Sequence, residues 1–190
     1  MSCGQYTESA AGRIKVVTSG TRPTGIDRYV GQRIFESDTG RELMYDGAGW
    51  VIMSEPLNAW NTSASWTGVT GGSPSYVGDY HRSDGWCDFR AVLQFGASAS
   101  SISGLAVVLP MAAGYVPAGA LHVMYYDNAG PMLYLGYNGA AIGTTVGLGA
   151  WDAASSRVQS AGVSSTNPFS FGNGDSIEVS GRFRMASRYS

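Results

Sequence analysis

The sequence predicts an all-β protein in which a small N-terminal β-meander is followed by a jelly-roll-like β-sandwich. Two long segments, 86–95 and 175–185, alternate apolar and polar residues with a period of two, as strands buried on one face do. Shorter β-prone segments, divided by turns rich in glycine, asparagine, aspartate and proline, fill most of the remaining chain. The only helix candidate, 151–158, has a weak pattern. Many short strands with regularly spaced turns are typical of sandwiches and barrels.

Changes in composition along the chain predict three regions. Residues 1–19 form an N-terminal arm and a strand: the chain is small and polar up to residue 12 and β-prone at 13–18. Residues 20–56 form the meander, which we interpret as an anchoring module. Residues 57–190 form the sandwich. Its first part, 57–75, is rich in Asn, Thr, Ser and Gly, a composition that favours an extended arm or loop.

The meander is predicted from three β-prone segments, 33–36, 41–46 and 50–53, joined by two tight turns. In the first turn, Ser, Asp and Thr side chains can bond to nearby backbone, and Gly40 can adopt a positive φ. An isolated meander of this size is marginal in water, so its apolar face requires a partner surface. That surface is either the remainder of the chain or copies of the meander around a symmetry axis. The apolar face comprises Ile34, Leu43, Tyr45, Trp50 and Ile52.

The sandwich core is predicted from the two alternating segments, and further strands are predicted at 104–109, 120–126, 132–136 and 139–150. Prolines at 110, 117, 131 and 168 fall at segment boundaries, where a missing N–H is harmless. The core-facing residues of the alternating segments are Cys87, Phe89, Ala91, Leu93, Phe95, Ile177, Val179, Phe183 and Met185.

Composition excludes several classes of partner. Charged residues are only 14% of the sequence, against roughly 25% in ordinary soluble proteins, and the formal net charge is −2. No basic patch favours nucleic acid, and the longest apolar stretch, 105–115, is too short and too interrupted for membrane insertion. A weakly charged surface with 27 glycines favours burial between subunits, so we expect a homotrimer. No secretory signal is recognisable; we therefore expect folding in a cytoplasm, with Cys3 and Cys87 reduced.

Catalytic chemistry is not predicted. His81 lies near Asp79 and Asp84, but a solvated turn before the following strand explains it, and His122 lies in an apolar run typical of a structural strand. Carboxylates could be paired for glycoside hydrolysis, as Glu36 with Asp38 or Asp84 with Asp88, yet each has a turn or strand-surface explanation. We therefore predict no catalytic residue, no metal site and no cofactor.

Aromatic residues between 60 and 86 are the strongest candidates for binding. They lie among Asn, Ser, Thr, Gly and Asp, and flat rings beside amide and hydroxyl groups suit a sugar. The alternative is that the rings pack against a neighbouring domain or subunit. The predicted glycan-binding residues are Trp60, Trp66, Tyr80 and Trp86. A second set is predicted to lie in a subunit interface or the core: Ile34, Leu43, Trp50, Phe89, Leu93 and Phe183.

Several short motifs occur in a characteristic order. Gly31-Gln32, the acidic-Thr turn Asp38-Thr39 and a Gly-x-x-Trp-Val exit at 47–51 come first. Tyr80-His81-Arg82 with Gly85, then Leu109-Pro110, and then Pro-Phe-x-x-x-x-Gly-Asp-x-Ile-x-Val-x-Gly at 168–181 follow. The first group resembles a module of tail and fibre proteins of tailed bacteriophages. The later group is similar to a β-domain of actinobacteriophage-type minor tail and fibre proteins, although Asp84-Gly85-Trp86 replaces the family's more usual turn. Together the motifs cover roughly residues 20–187.

The resemblance implies a structural virion protein, assembled in the host cytoplasm: a homotrimeric minor tail or fibre component that contributes to host-surface attachment. The N-terminal arm would bind other virion proteins, and the sandwich would contact host cell-envelope glycan. Two alternatives are a capsid-surface decoration or head-fibre protein and, more remotely, a polysaccharide-degrading enzyme. No nucleic-acid partner and no membrane insertion are expected.

Overall fold

The computed structural model of the protein describes residues 14–60, 63–97, 99–152, 159–164 and 166–187. Within these ranges, fourteen strands form two sheets, which confirms the predicted all-β class and fits a sandwich or barrel-like arrangement. No helix in the same ranges is both long and apolar enough to cross a membrane. The predicted arm at 1–12, with Cys3, lies outside the described residues, as do positions 153–158 of the helix candidate.

The small sheet is formed by β1 (Lys15–Val17), β2 (Arg33–Glu36), β3 (Arg41–Tyr45) and β4 (Trp50–Ser54), which lie side by side in that order. β1 pairs in parallel with β2, whereas the other neighbours are antiparallel. The three predicted strands of the meander are confirmed to within one residue at each end. Gly40 has a φ of +68°, as the predicted hairpin loop requires.

The apolar face of the small sheet is buried within a single chain. The segment between β1 and β2 contributes to this: Pro23 is buried, and the Arg28 guanidinium lies 4.7 Å from the centroid of the Tyr45 ring. Of the two alternatives left open by the sequence, the structure therefore supports packing within one chain for this face. The buried cluster comprises Val17, Ile34, Leu43, Tyr45, Trp50 and Ile52.

The large sheet contains ten strands. They are β5 (Asn58–Ala59), β6 (Trp66–Gly71), β7 (Ser75–Ser83), β8 (Trp86–Gln94), β9 (Ala99–Val116), β10 (His122–Asp127), β11 (Met132–Asn138), β12 (Ala141–Asp152), β13 (Gln159–Gly162) and β14 (Ser176–Met185). Their order across the sheet is β5-β7-β8-β14-β10-β11-β12-β9-β6, with β13 paired to β12.

The large sheet closes on itself because β14 also pairs with β9, through Arg184 opposite Tyr115. Strands β14, β10, β11, β12 and β9 thereby form a complete circuit. The main core lies inside this circuit and under β6, β7 and β8. The core-facing residues predicted on β8 and β14 are all buried, which confirms the period-two interpretation of both segments.

Residues 57–75 were predicted to form an extended arm or loop, and this prediction was wrong for the two strands that the segment contains. The segment contains β5 and β6, and β6 pairs with β9 from Trp66 opposite Val107 onward. Two register shifts interrupt this pairing, which allows Gly68, with a φ of +82°, to lie in a strand. A polar segment that contains glycine can form a strand at a sheet edge, where the backbone has to form hydrogen bonds with only one neighbouring strand.

Pro110 was expected at a segment boundary but lies within β9, which has 18 residues. The pairing of β9 with β12 shifts register between Thr145, opposite Val108, and Gly143, opposite Ala113. Pro110 falls within this irregular stretch. A proline is tolerated there because a bulge does not require every N–H to bond to the neighbouring strand.

Cys87 is a free, buried thiol on β8. Burial raises the pKa of the Cys87 thiol from 9.0 to about 12. Because the unfolded chain loses this proton first, the free energy of unfolding should fall as the pH rises from about 9 toward 12. At pH 10 the expected loss from this group is about 1.4 kcal/mol.

This pH dependence can be measured by urea unfolding between pH 8 and pH 10, comparing the protein with Cys87→Ala. The variant should start less stable at pH 8, yet its stability should decline less steeply with pH. Identical slopes for the two proteins would contradict the assignment, since Cys3 and the tyrosines are present in both.

The two sheets are joined through a buried carboxylate. Glu55 follows β4, and its side chain is fully buried between Arg41 of β3 and Arg82 of β7. The Arg82 guanidinium donates from Nε and Nη2 at 2.6 Å each, and Arg41 Nε donates at 3.1 Å. The backbone N–H of Asp84 also donates to the carbonyl of Ile52 at 2.8 Å. These contacts connect the meander to the β7–β8 hairpin.

Candidate ligand-binding cleft

Three side chains on neighbouring strands form an exposed row at one end of the large sheet. Arg184 of β14 lies opposite Trp86 of β8 on one side and opposite Tyr115 of β9 on the other. Trp86 is 42% exposed and Tyr115 is 54% exposed, and Arg184 is also exposed. Directly opposed residues in antiparallel strands project from the same face, with Cβ atoms about 5 Å apart. The structure therefore builds an aromatic–guanidinium–aromatic row.

The β7–β8 hairpin positions Trp86 in this row. Asp84 and Gly85 form a two-residue loop with φ values of +45° and +80°, the two positive angles of a type I′ turn. The Gly85 carbonyl accepts a hydrogen bond of 2.9 Å from the N–H of Met185, which ties the loop to β14. The Asp84-Gly85 turn therefore lines the cleft beside Trp86.

The row lines a cleft of about 1110 Å³. Phe183 is also a lining residue, but its ring faces the core, where it packs edge-to-face against Phe89 with ring centroids 5.7 Å apart. The rim of the cleft carries Asp84, Arg182, Arg184 and Pro117. The cleft thus combines apolar ring surfaces with a few charged groups, which is the composition expected of a small-ligand site.

The charged groups around the cleft differ in how they are paired. Asp88 accepts two hydrogen bonds from Arg182, Nε at 2.9 Å and Nη2 at 2.9 Å, and the Arg182 guanidinium lies 5.9 Å from the Trp86 ring centroid. On the same face, Arg90 donates to both oxygens of Glu178 at 2.9 and 2.8 Å, and these bonds lower the pKa of Glu178. By contrast, among the residues that the structure describes, Arg184 has no carboxylate partner.

Only one of the four predicted glycan-binding residues lines the cleft, namely Trp86. Trp66 is only 6% exposed and belongs to the core, so its ring is not available to a ligand in this structure. Trp60 is half-buried with its ring 5.8 Å from that of Phe89, and Tyr80 is also half-buried against the core. The predicted cluster does not converge because Trp66 lies in the core and Trp60 and Tyr80 pack against it, whereas Trp86 is exposed on the outer face.

The second predicted set belongs to the core of one chain. Phe89, Leu93 and Phe183 are buried in the large sheet, and Ile34, Leu43 and Trp50 are buried in the small one. All six residues are thus buried within one chain.

Sequence reasoning missed Tyr115 and Arg184. The alternation of 175–185 does place Arg182 and Arg184 on the exposed face, so that signal was available. Tyr115 ends a long apolar run, and nothing in the sequence indicates which strand lies beside it. The row depends on the β14–β9 pairing that closes the sheet, and register between distant strands cannot be deduced from local patterns.

The histidine and the carboxylates that were considered for catalysis lie in strands or form hydrogen bonds within the chain. His81 was predicted in a turn but lies in β7 opposite Asp88, whose carboxylate is bound by Arg182. Glu36 is buried and accepts hydrogen bonds from Arg22 and Thr39. Asp38 accepts from the hydroxyl and N–H of Ser19, which lowers the pKa of its carboxyl. In the described part of the chain, no three His, Cys, Asp or Glu residues are grouped to hold a metal ion.

Comparison of the chain with protein-family models, with curated proteins and with solved structures finds no match.

Proposed function

We propose that this protein is a non-enzymatic attachment protein that binds carbohydrate in the cleft between Trp86 and Tyr115. The observation that carries the proposal is the exposed row of two aromatic rings flanking a guanidinium. Two solvent-exposed rings and a few polar groups provide apolar surface for the carbon face of a sugar and hydrogen bonds for its hydroxyls. Carbohydrate binding of this kind requires no nucleophile, base or metal.

We further propose that the protein acts on the virion of a tailed bacteriophage, as a minor tail or fibre component. This part rests on the ordered motifs between residues 20 and 187, which resemble those of phage tail and fibre proteins. In this arrangement the small sheet lies on the virion side, and the cleft on the large sheet faces the host envelope. Trimerisation would present three equal clefts, so that weak individual sites gain avidity.

The binding proposal predicts that Trp86→Ala and Tyr115→Ala each weaken carbohydrate binding at least about tenfold, because truncation of an aromatic hot-spot residue typically costs about 2 kcal/mol or more. Binding of the full chain to a panel of neutral and acidic bacterial surface oligosaccharides would be measured by calorimetry. The matched control is Tyr29→Ala, an exposed tyrosine of the segment between β1 and β2 that does not line the cleft. Equal weakening by all three changes, or no binding to any oligosaccharide, would refute the proposal.

The same variants test the role in attachment. Virions that carry Trp86→Ala should adsorb poorly to host cells, whereas virions with Tyr29→Ala should adsorb normally. Normal adsorption by the Trp86 variant, with the protein located on the head by labelled microscopy, would favour the capsid-decoration alternative. Release of reducing sugar ends from a bound oligosaccharide would favour the enzyme alternative.

An outer apolar face supports the proposed trimer. Tyr126 of β10 is paired with Leu133 of β11, and Leu135 lies two residues further along. Leu133 and Leu135 are 60% and 63% exposed, an unusual exposure for two leucines on one sheet face.

Sedimentation should give three times the 20.0 kDa mass of one chain. Leu135→Asp should yield a folded monomer, while a monomeric unmodified protein would contradict the proposed assembly.

A further inference from the structure

We propose that the cleft selects an acidic carbohydrate, and that Arg184 determines this selectivity by binding the anionic group of the sugar. The inference rests on the proposed function, since it assigns a ligand class to the same cleft. The chemistry required is a sugar ring with two adjacent oxyanion atoms, as in a carboxylate or a phosphodiester, because these match the planar fork of a guanidinium.

Arg184 differs from the other outward-facing arginines of these strands. Arg90 on β8 is held by both oxygens of Glu178, and Arg182 on β14 is held by Asp88. Their guanidinium groups therefore form ion pairs between neighbouring strands, and these pairs stabilise the sheet. Arg184 lies on the same face of β14 as Arg182, lines the cleft, and has no carboxylate partner within the described residues. Its donors are available to a ligand.

The position of Arg184 between two rings determines what kind of anion fits. Strands are spaced about 4.8 Å apart, so Trp86 and Tyr115, two strands apart, are separated by about 10 Å across Arg184. A ligand with apolar ring faces on either side of an anionic group can contact all three side chains at once. A small inorganic anion would leave both rings unused, whereas a neutral sugar would leave the guanidinium without a charged partner.

Asp84 gives the cleft a second, opposing charge. It is exposed in the hairpin loop and lines the cleft together with Arg184. A carboxylate accepts hydrogen bonds from sugar hydroxyls but repels a second anion. Asp84→Asn should therefore strengthen binding of an acidic sugar while leaving binding of the neutral counterpart nearly unchanged.

Single-stranded nucleic acid also combines stacking surfaces with an anionic backbone. Proteins that bind it carry a positive groove along several nucleotides, whereas this chain has a formal net charge of −2 and pairs Arg90 and Arg182 with carboxylates. Among the described residues that line the cleft, the Arg184 guanidinium has no carboxylate partner, which suits a single anionic group. The charge distribution thus favours an acidic carbohydrate over a nucleic acid.

The test compares three probes on the full chain by calorimetry: an oligosaccharide containing uronic acid, the same oligosaccharide after reduction of its carboxyl groups, and a phosphodiester-linked sugar oligomer. A ten-nucleotide oligothymidine serves as the nucleic-acid probe. We expect at least one anionic sugar to bind about ten- to a hundredfold more tightly than the neutral one, the range of a charge-assisted hydrogen-bonded pair. The two anionic probes distinguish carboxylate from phosphodiester.

Two variants isolate the role of Arg184. Arg184→Gln should abolish the preference for the anionic sugar but retain binding of the reduced one, and Arg184→Lys should restore part of the preference. Lys15→Gln is the matched control, because it removes the same charge from an exposed residue of β1 that does not line the cleft.

The outcomes separate this inference from the function on which it rests. Equal binding of acidic and reduced sugars, unchanged by Arg184→Gln, overturns the selectivity and leaves carbohydrate binding intact. Absence of binding to every carbohydrate overturns both proposals. Tighter binding of oligothymidine than of any sugar also overturns both and assigns the cleft to nucleic acid.

Discussion

Replacing Glu55 by glutamine is expected to lower the free energy of unfolding by about 3–5 kcal/mol, since the change leaves a buried arginine without its counter-charge. The Glu55 side chain is 0% exposed and Arg82 is only 16% exposed, so water cannot replace the lost carboxylate. Arg41 loses its partner as well. Because Arg41 belongs to β3 and Arg82 to β7, the loss should fall on the contact between the two sheets.

Chemical denaturation gives the stability change, and amide hydrogen exchange locates it. Exchange should accelerate most in β3 and β4 if the small sheet loosens from the large one. Glu178→Gln is the matched control: it breaks an ion pair of the same chemistry, but Arg90 is 52% exposed, and exposed pairs contribute at most about 1 kcal/mol. Similar losses for the two variants would show that burial is not what makes the Glu55 contact strong.

Tyr125→Ala is expected to destabilise the protein by about 3–5 kcal/mol, because it removes a fully buried ring from the centre of the closed circuit. The ring packs edge-to-face on Phe171 at 6.2 Å, and its hydroxyl donates to the carbonyl of Gly149 at 3.0 Å. Burial raises the pKa of the Tyr125 hydroxyl above its usual value, which agrees with a phenol that stays protonated in the core.

Tyr125→Phe separates the ring from the hydroxyl. It keeps the packing but leaves the Gly149 carbonyl without this donor, so the expected loss is about 1–2 kcal/mol. Equilibrium unfolding in urea measures both variants under one condition. A loss from Tyr125→Phe as large as that from Tyr125→Ala would mean that the hydrogen bond, rather than the buried ring, stabilises this part of the core.

The structure also indicates which kinds of structural feature a sequence can predict. The β8 and β14 segments were predicted closely because each is half-buried along its whole length, so burial imposes a period of two on the residue types. The Gly40 loop was predicted because only a few residue types suit a tight hairpin. Each of these signals is local, and each concerns the chemistry of a single strand or turn.

Features that depend on pairing between distant segments were not predicted. Pro110 is acceptable within β9 only because its neighbour β12 is bulged there, and residues 66–71 are a strand because β9 lies beside them. The cleft depends on pairing between distant segments even more clearly. Trp86 was predicted to bind glycan from its neighbours in sequence, whereas the side chains beside it in space, Arg184 and Tyr115, come from strands that meet it only when the sheet closes.

The central position of β14 has a kinetic consequence. This strand follows the other described strands in sequence, yet it pairs with β8, β10 and β9, and its contacts reach back 94 residues from Arg182 to Asp88. Contacts over such separations form slowly, because the intervening chain must lose conformational entropy before strand pairing can offset that loss. Until β14 arrives, the edges of β8 and β10 have no partner and can accept a strand from another chain. A newly made chain should therefore depend on chaperones that prevent these edges from pairing with other chains. The yield of folded protein should fall as the rate of synthesis and the concentration of the new chain rise.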